Sequence, residues 1–288
     1  MSLLHGAVEA WVRRNAPRDP RQPPAGRAPA IVVTGGSEGI GLALARRFRA
    51  GGQTVILVAR HADRLAAAAA DLSGTPGPRV LWIALDVTEE DAPGLLAAAV
   101  AAQGHYIDVL INNAGIGLGG PFAEQDAAVL DRLIALNVAA CTALLRHVLP
   151  DMLARARGGV MLVASLGGFA PGPYQAAYYA SKAYVLALGE AVQAETSGSG
   201  VRVCVLTPGP VETEFHRRMG VGVDTALYRR LMPQASVAQV ADAAFRGYRL
   251  ARPVIIPGVL NRLAALAMRI IPHRLVIPTL GWLLWPRT

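Results

Sequence analysis

Residues 174 to 185 read YQAAYYASKAYV, and Lys182 within them is the only lysine in a chain that otherwise uses arginine. A phenol and an ammonium one helical turn apart share a face and bias each other's protonation. Tyr178 lies four residues before Lys182 and Tyr179 three, so helical spacing admits either as the partner. An unperturbed tyrosine releases its proton near pH ~10, and each unit of downward shift requires about 1.4 kcal/mol of differential interaction with the phenolate. A nearby cation supplies interaction of that sign. A phenol so tuned exchanges protons with a substrate oxygen as a general acid or base.

Such a pair needs a rigid frame. Short β-branched runs at 30–34, 54–59, 80–85, 108–112, 159–164, 201–206 and 253–257 predict strands. Periodic stretches around 40–50, 62–72, 89–103, 124–150, 175–196 and 237–249 predict helices between them. Near-continuous apolar strands separated by helices imply a doubly wound α/β architecture: a seven-stranded parallel sheet covered by helices on both faces. Ligands of such sheets bind beyond the carboxyl ends of the strands, where the strand order reverses.

The expected ligand end carries matching residues. VVTGGSEGIG places Thr34, Gly35, Ser37, Glu38, Gly39, Ile40 and Gly41 between the first strand and the first helix. Glycines there allow a tight turn and a close approach of backbone N–H groups to a pyrophosphate at a helix N-terminus. The second strand ends in Ala59 and Arg60, where a site for NAD(H) would hold an acidic residue against the ribose 2′-hydroxyl. A guanidinium clamps a phosphate through two hydrogen bonds, so NADP(H) is favoured over NAD(H). Glu38 works against a nearby phosphate, and Ser37 offers a compensating hydroxyl. Asp86 and Val87 follow the third strand, placed to meet an adenine edge. Asn113, Ala114 and Gly115 end the fourth, where the adenine ring and ribose would lie.

Composition narrows the alternatives. With 288 residues and 53% of them hydrophobic, the chain supports one large core. The net charge of +8 resides almost wholly in the tail: from Arg246 onward there are seven arginines and no acidic residue. Those arginines lie among Leu, Ile and Pro without a nucleic-acid module, which excludes a nucleic-acid reading. Cys141 and Cys204 sit in apolar segments, as buried thiols of a reducing compartment do, and a cytoplasmic location is expected. The start of the chain lacks a signal-peptide pattern; Leu3, Leu4, Val8, Trp11 and Val12 fall at helical spacing ahead of a Pro/Arg-rich linker. His61, His105 and His147 are scattered, and no metal-ligand spacing occurs.

In order, TGxxxGIG, DVT, NNAG, an Asn in a long helix, a Ser after the fifth strand, YxxxK and a Pro-Gly followed by Thr resemble the short-chain dehydrogenase/reductase family from about residue 30 to 257. The resemblance implies a Rossmann-like fold and selects Tyr178 over Tyr179 as the acid–base group. It implies that Lys182 holds the nicotinamide ribose and biases the phenol. Ser165 would bind the substrate oxygen, and Asn137 would anchor a water on the proton path. Pro208, Gly209, Val211 and Thr213 would close over the nicotinamide, with residues 214 to 235 as a lid. It further implies a homodimer or homotetramer. The alternative is a non-catalytic dinucleotide sensor or scaffold on the same fold, which would not need the Asn, Ser, Tyr and Lys set.

The domains expected are an extension at 1–29, a catalytic domain at 30–257 and an apolar basic extension at 258–288. The last is interrupted by Pro272, Pro278 and Pro286 and does not read as one membrane span. Arg262 and Arg269, with Asn261 alongside, define a polar helix side opposite an apolar one, and Trp282 and Trp285 follow. Two destinations are open: the surface of an anionic membrane, or packing on the domain or a partner subunit. TGGSEGIG together with this tail resembles members that reduce 3-keto lipids, so a small apolar carbonyl or alcohol, such as a keto lipid or a steroid-like ketone, is the expected substrate.

Overall fold

The computed structural model describes residues 22–211, 213–219 and 234–284. The proposed N-terminal helix, most of the lid and Trp285 lie outside the described residues. The strands are β1 (Ala28–Thr34), β2 (Val55–Ala59), β3 (Val80–Ala84), β4 (His105–Asn112), β5 (Gly158–Val163), β6 (Val201–Leu206) and β7 (Val254–Ile255). They form one parallel sheet in the order β3-β2-β1-β4-β5-β6-β7. The order reverses between β1 and β4, which defines the crevice for a ligand.

The central strands bury both faces, whereas the edge strand β3 leaves Trp82 and Ala84 exposed. Val32, Ile56, Val58, Leu110, Val160 and Val205 enter one core, whereas Ile31, Val33, Leu57, Ile111, Met161 and Leu206 enter the other. This two-sided burial is why the strands read as apolar runs without polar alternation. Cys141 belongs to the first core and Cys204 to the second, so the sheet separates two buried thiols.

The helices are α1 (Gly39–Ala50), α2 (Ala62–Ser73), α3 (Ala92–Ala102), α4 (Ala127–Ala154), α5 (Ala176–Glu195), α6 (Glu214–Arg218), α7 (Val237–Arg249), α8 (Val259–Ile270) and α9 (His273–Leu284). β1 starts at Ala28, earlier than the expected boundary, because Ala28 pairs with His105. α3 starts later than expected because Asp86 binds Thr88 in a turn. α4 begins after Asp126, whose carboxylate accepts the Val129 N–H at 3.0 Å, and contains a π-helical turn at Ala135–Ala140.

Helix α5 carries the site. Its buried residues, Tyr178, Ser181, Lys182, Val185, Leu186, Gly189 and Val192, recur every three or four positions and form one stripe against the sheet. A Cβ on Gly189 would overlap Val205 Cγ2 and lie 3.0 Å from Leu162 Cδ1. Alanine gains up to ~1 kcal/mol over glycine in a helix, but overpacking against a stiff β-branched side chain costs about 1–3 kcal/mol. Gly189→Ala is therefore expected to destabilise the fold by roughly 1–2 kcal/mol, read as a lower urea midpoint with an unchanged slope.

Candidate active site

The glycine turn is built from two distinct constraints. Gly35 (φ 62°) and Gly39 (φ 57°) occupy left-handed backbone that side chains disfavour. Gly41 is needed for proximity, because a Cβ there would overlap the Gly35 carbonyl oxygen. Thr34 is fully buried, and its Oγ1 accepts the N–H groups of Asn113 and Ala114, each at 3.0 Å. Asn113 Nδ2 donates to Thr34 O at 3.0 Å and Gly35 O at 3.2 Å. The amide expected near the ribose thus locks the glycine turn onto the end of β4.

Gly35, Ser37, Glu38, Gly39 and Ile40 line one end of a cavity of about 1230 Å³. Ala114, Gly115, Pro208, Gly209, Val211 and Thr213 line the same cavity. Thr34 and Gly41 lie beneath the turn, not on its surface. Arg60, Asp86 and Val87 sit at the ends of β2 and β3, outside the walls of this cavity. Asp86 accepts from the Thr88 backbone N–H (3.0 Å) and hydroxyl (2.7 Å) and lies 3.8 Å from Arg60. It is engaged as a turn-maker and ion-pair partner, with Arg60 40% exposed.

These residues fit a dinucleotide. The Glu38 side chain does not cap α1, so the first-turn N–H groups are not taken up by it and suit a pyrophosphate. Glu38 instead forms a two-pronged ion pair with Arg218 of α6, one arm at 2.9 Å. The guanidinium holds the Glu38 carboxyl below the usual carboxylate range. Sequence reasoning missed this pair, whose members are 180 positions apart.

At the centre of the cavity stand Ser165, after β5, and Tyr178 and Lys182, on the buried stripe of α5. Ser165 and Tyr178 line the same cavity, and Lys182 Nζ donates to Val163 O at 2.9 Å, 5.9 Å from the Tyr178 ring centre. Tyr179 turns aside from the stripe and packs against Gly167 and Gly172. Tyr178 is the tyrosine buried on the stripe with Lys182, and Tyr179 lines the same cavity.

Asn137 is buried in the π turn of α4, a deformation frequent at functional sites. Its Oδ1 accepts the Ile116 N–H at 2.9 Å; its Nδ2 donates to Ile116 O at 2.9 Å and Ser181 Oγ at 3.1 Å. Ser181 in turn donates to Tyr178 O at 2.7 Å. Ser181 was not anticipated, yet it ties α4, the loop after β4 and α5 together. A Cβ on Gly115 would lie 3.0 Å from Asn137 Oδ1 and 3.4 Å from Lys182 Nζ, so this glycine keeps the space beside the ammonium open.

The C-terminal segment supplies the far wall. Ala264, Ala267, Met268, Ile271, Leu280 and Leu283 of the α8–α9 region line the same cavity as Tyr178. The expected side-by-side placement of Asn261 with the arginines is corrected. Asn261 is buried, donates to Pro257 O at 2.7 Å and lies against Gly209. Arg262 bonds Ile256 O at 3.0 Å and Arg269 bonds Glu190 at 2.7 Å, so both arginines, though exposed, tie α8 to the domain.

A doubly wound sheet with a glycine turn at its switch point and a Ser, Tyr and Lys cluster beside it defines a dinucleotide-dependent oxidoreductase. Residues 29–221 match the short chain dehydrogenase family, and the chain belongs to it. It is 36% identical over 186 residues to a short chain dehydrogenase of Pseudocercospora fijiensis, covering 64% of this chain and 60% of that protein. Among solved structures it is similar to a short-chain dehydrogenase from Sphingobium yanoikuyae in complex with NADPH (34% identity, TM-score 0.73, covering 83% of this chain and 92% of that one). It is also similar to the bulky-bulky ketone specific alcohol dehydrogenase from Comamonas testosteroni (27% identity, TM-score 0.69, covering 86% and 96%).

Burial pushes the Tyr178 phenol up to about 12, against the opposing pull of the Ser165 side chain, and pushes Lys182 down to about 8. Lost hydration of the charged form dominates for both groups. For Lys182 the folded value lies below the ordinary 10.5, so the cost of burying the ammonium is present below pH 8. It is relieved as pH rises from about 8 toward 10.5. Tyr178 acts oppositely, but only above its ordinary value of 10.0. Between those limits the wild type is expected to gain stability relative to Lys182→Met, measured as a rise of its urea midpoint relative to that of the variant. Parallel midpoints across this window contradict the assignment.

Proposed function

We propose that this protein is an NADP(H)-dependent oxidoreductase that interconverts an apolar ketone and the corresponding secondary alcohol. The observation that carries this reading is the gathering of Ser165, Tyr178 and the buried Lys182 on one cavity, between the glycine turn and the apolar wall of α8 and α9. When bound, the nicotinamide supplies or accepts the hydride. Ser165 holds the substrate oxygen by a hydrogen bond and fixes its orientation. Tyr178 gives that oxygen a proton in reduction and takes one back in oxidation. A phenol kept protonated by burial is in the state that reduction consumes. Lys182, fastened to Val163 O, stabilises the phenolate left behind, while Asn137 and Ser181 hold the helix that carries both.

Several features support a 2′-phosphate. β2 ends without a carboxylate, Arg60 is exposed there, and the one carboxylate in the glycine turn is neutralised by Arg218. The NADPH complex of the Sphingobium relative is in keeping with this. For the substrate, the walls formed by Phe215, Met219, Met268 and Leu280 favour bulky apolar groups, in keeping with the ketone class of the Comamonas relative.

Tyr178→Phe is expected to lower NADPH-dependent reduction of a bulky apolar ketone by about 10²–10⁴-fold while NADPH binding, followed by fluorescence, stays within a few-fold. Retained turnover overturns the acid–base assignment. Arg60→Ala is expected to weaken NADPH by on the order of 10–100-fold and to leave NADH nearly unchanged. Equal losses for the two coenzymes argue against a phosphate clamp at this position.

A further inference from the structure

We propose that the outer face of α8 and α9 docks on the surface of an anionic lipid bilayer and that apolar substrate enters the chamber from that side. The substrate-entry half rests on the ketone–alcohol reading above; the docking half does not. On α8, Val259, Leu263, Leu266 and Ile270 recur at i, i+4, i+7 and i+11 and stay solvent-exposed, Leu263 by 57% and Ile270 by 70%. An amphipathic helix on a soluble domain ordinarily turns such a stripe inward. Here the inward positions are taken by Asn261 and Ala265, with the arginines holding the flank.

Two observations select a membrane as the occupant. The first is charge. No acidic residue follows Asp242, and Arg262, Arg269 and Arg274 rim the exposed face, all three exposed. Among described residues, Glu190 of α5 reaches this rim, and it is paired with Arg269. A basic rim around an apolar stripe with Trp282 exposed beside it complements anionic headgroups over acyl chains. The second is continuity. Ile271 and Leu275 both line the catalytic cavity and are 42% and 58% exposed, so the apolar wall of the chamber reaches the surface at these two residues. An apolar ketone dissolved in a bilayer would meet that rim first.

The test is flotation of the full chain with vesicles of phosphatidylcholine containing phosphatidylglycerol, and with phosphatidylcholine alone. The wild type is expected to float with the anionic vesicles. The triple variant Leu263→Gln, Leu266→Gln, Ile270→Gln, which leaves the cavity lining intact, is expected to partition on the order of 100-fold less while keeping wild-type turnover of a soluble ketone. Arg274→Gln is expected to lose about fivefold on anionic vesicles and nothing on neutral ones. Failure of the wild type to float, or equal flotation of the triple variant, overturns the proposal. A wild-type oligomer that the triple variant dissociates, with no flotation, assigns the face to a second copy and overturns it too. Flotation by a chain that turns over no ketone keeps the docking and removes the chemistry.

Discussion

An ammonium held in a dry interior is the constraint on which the rest of this site depends. Lys182 is 5% exposed, and a charge so placed must find hydrogen-bond acceptors or lose its proton. Its fixed protein partner is the carbonyl of Val163, the last residue of β5, so the strand end determines where the ammonium sits. Helix α5 must then approach the sheet closely enough to deliver it, which Gly189 permits by presenting no side chain to Val205. Ser181 and Asn137 fix the helix against α4, and Gly115 leaves the remaining side of the ammonium uncrowded.

Much of this was legible in the sequence, for identifiable reasons. Strands buried on both faces announce themselves as apolar runs, and helices beside them as periodic ones. The two coenzyme-side glycines with positive φ could be read because their type is required locally. Choosing Tyr178 over Tyr179 was not local: it depends on which face of α5 meets the sheet, and spacing of three or four residues satisfies either. The family resemblance made the choice, and the buried stripe of α5 supplies its physical reason. Asp86 and Asn113 were read as ligand contacts; the Asp86 side chain builds a turn outside the cavity, whereas Asn113 lines the cavity while its amide braces the glycine turn.

What the sequence hid was pairing over distance. Glu38 reads as a liability beside a phosphate until Arg218 is seen across the cleft. The tail left two destinations open, a membrane surface or packing on the protein, because periodicity identifies faces without saying which one meets the protein. Packing divides the tail: its arginines tie α8 to the domain, Met268, Leu280 and Leu283 close the chamber, and Val259, Leu263, Leu266 and Ile270 remain outside.

The strand order also governs how the molecule comes into being. β1, β2 and β3 are consecutive neighbours, whereas the central pairing of β1 with β4 joins groups such as Thr34 and Ile111, 77 positions apart. Loop closure over that distance is slow compared with the local crossovers. During synthesis, one flank of the sheet can assemble while β1 keeps a naked edge, open to wrong partners until β4 emerges. Thr34, which receives both Asn113 and Ala114, then joins the late strand to the early one.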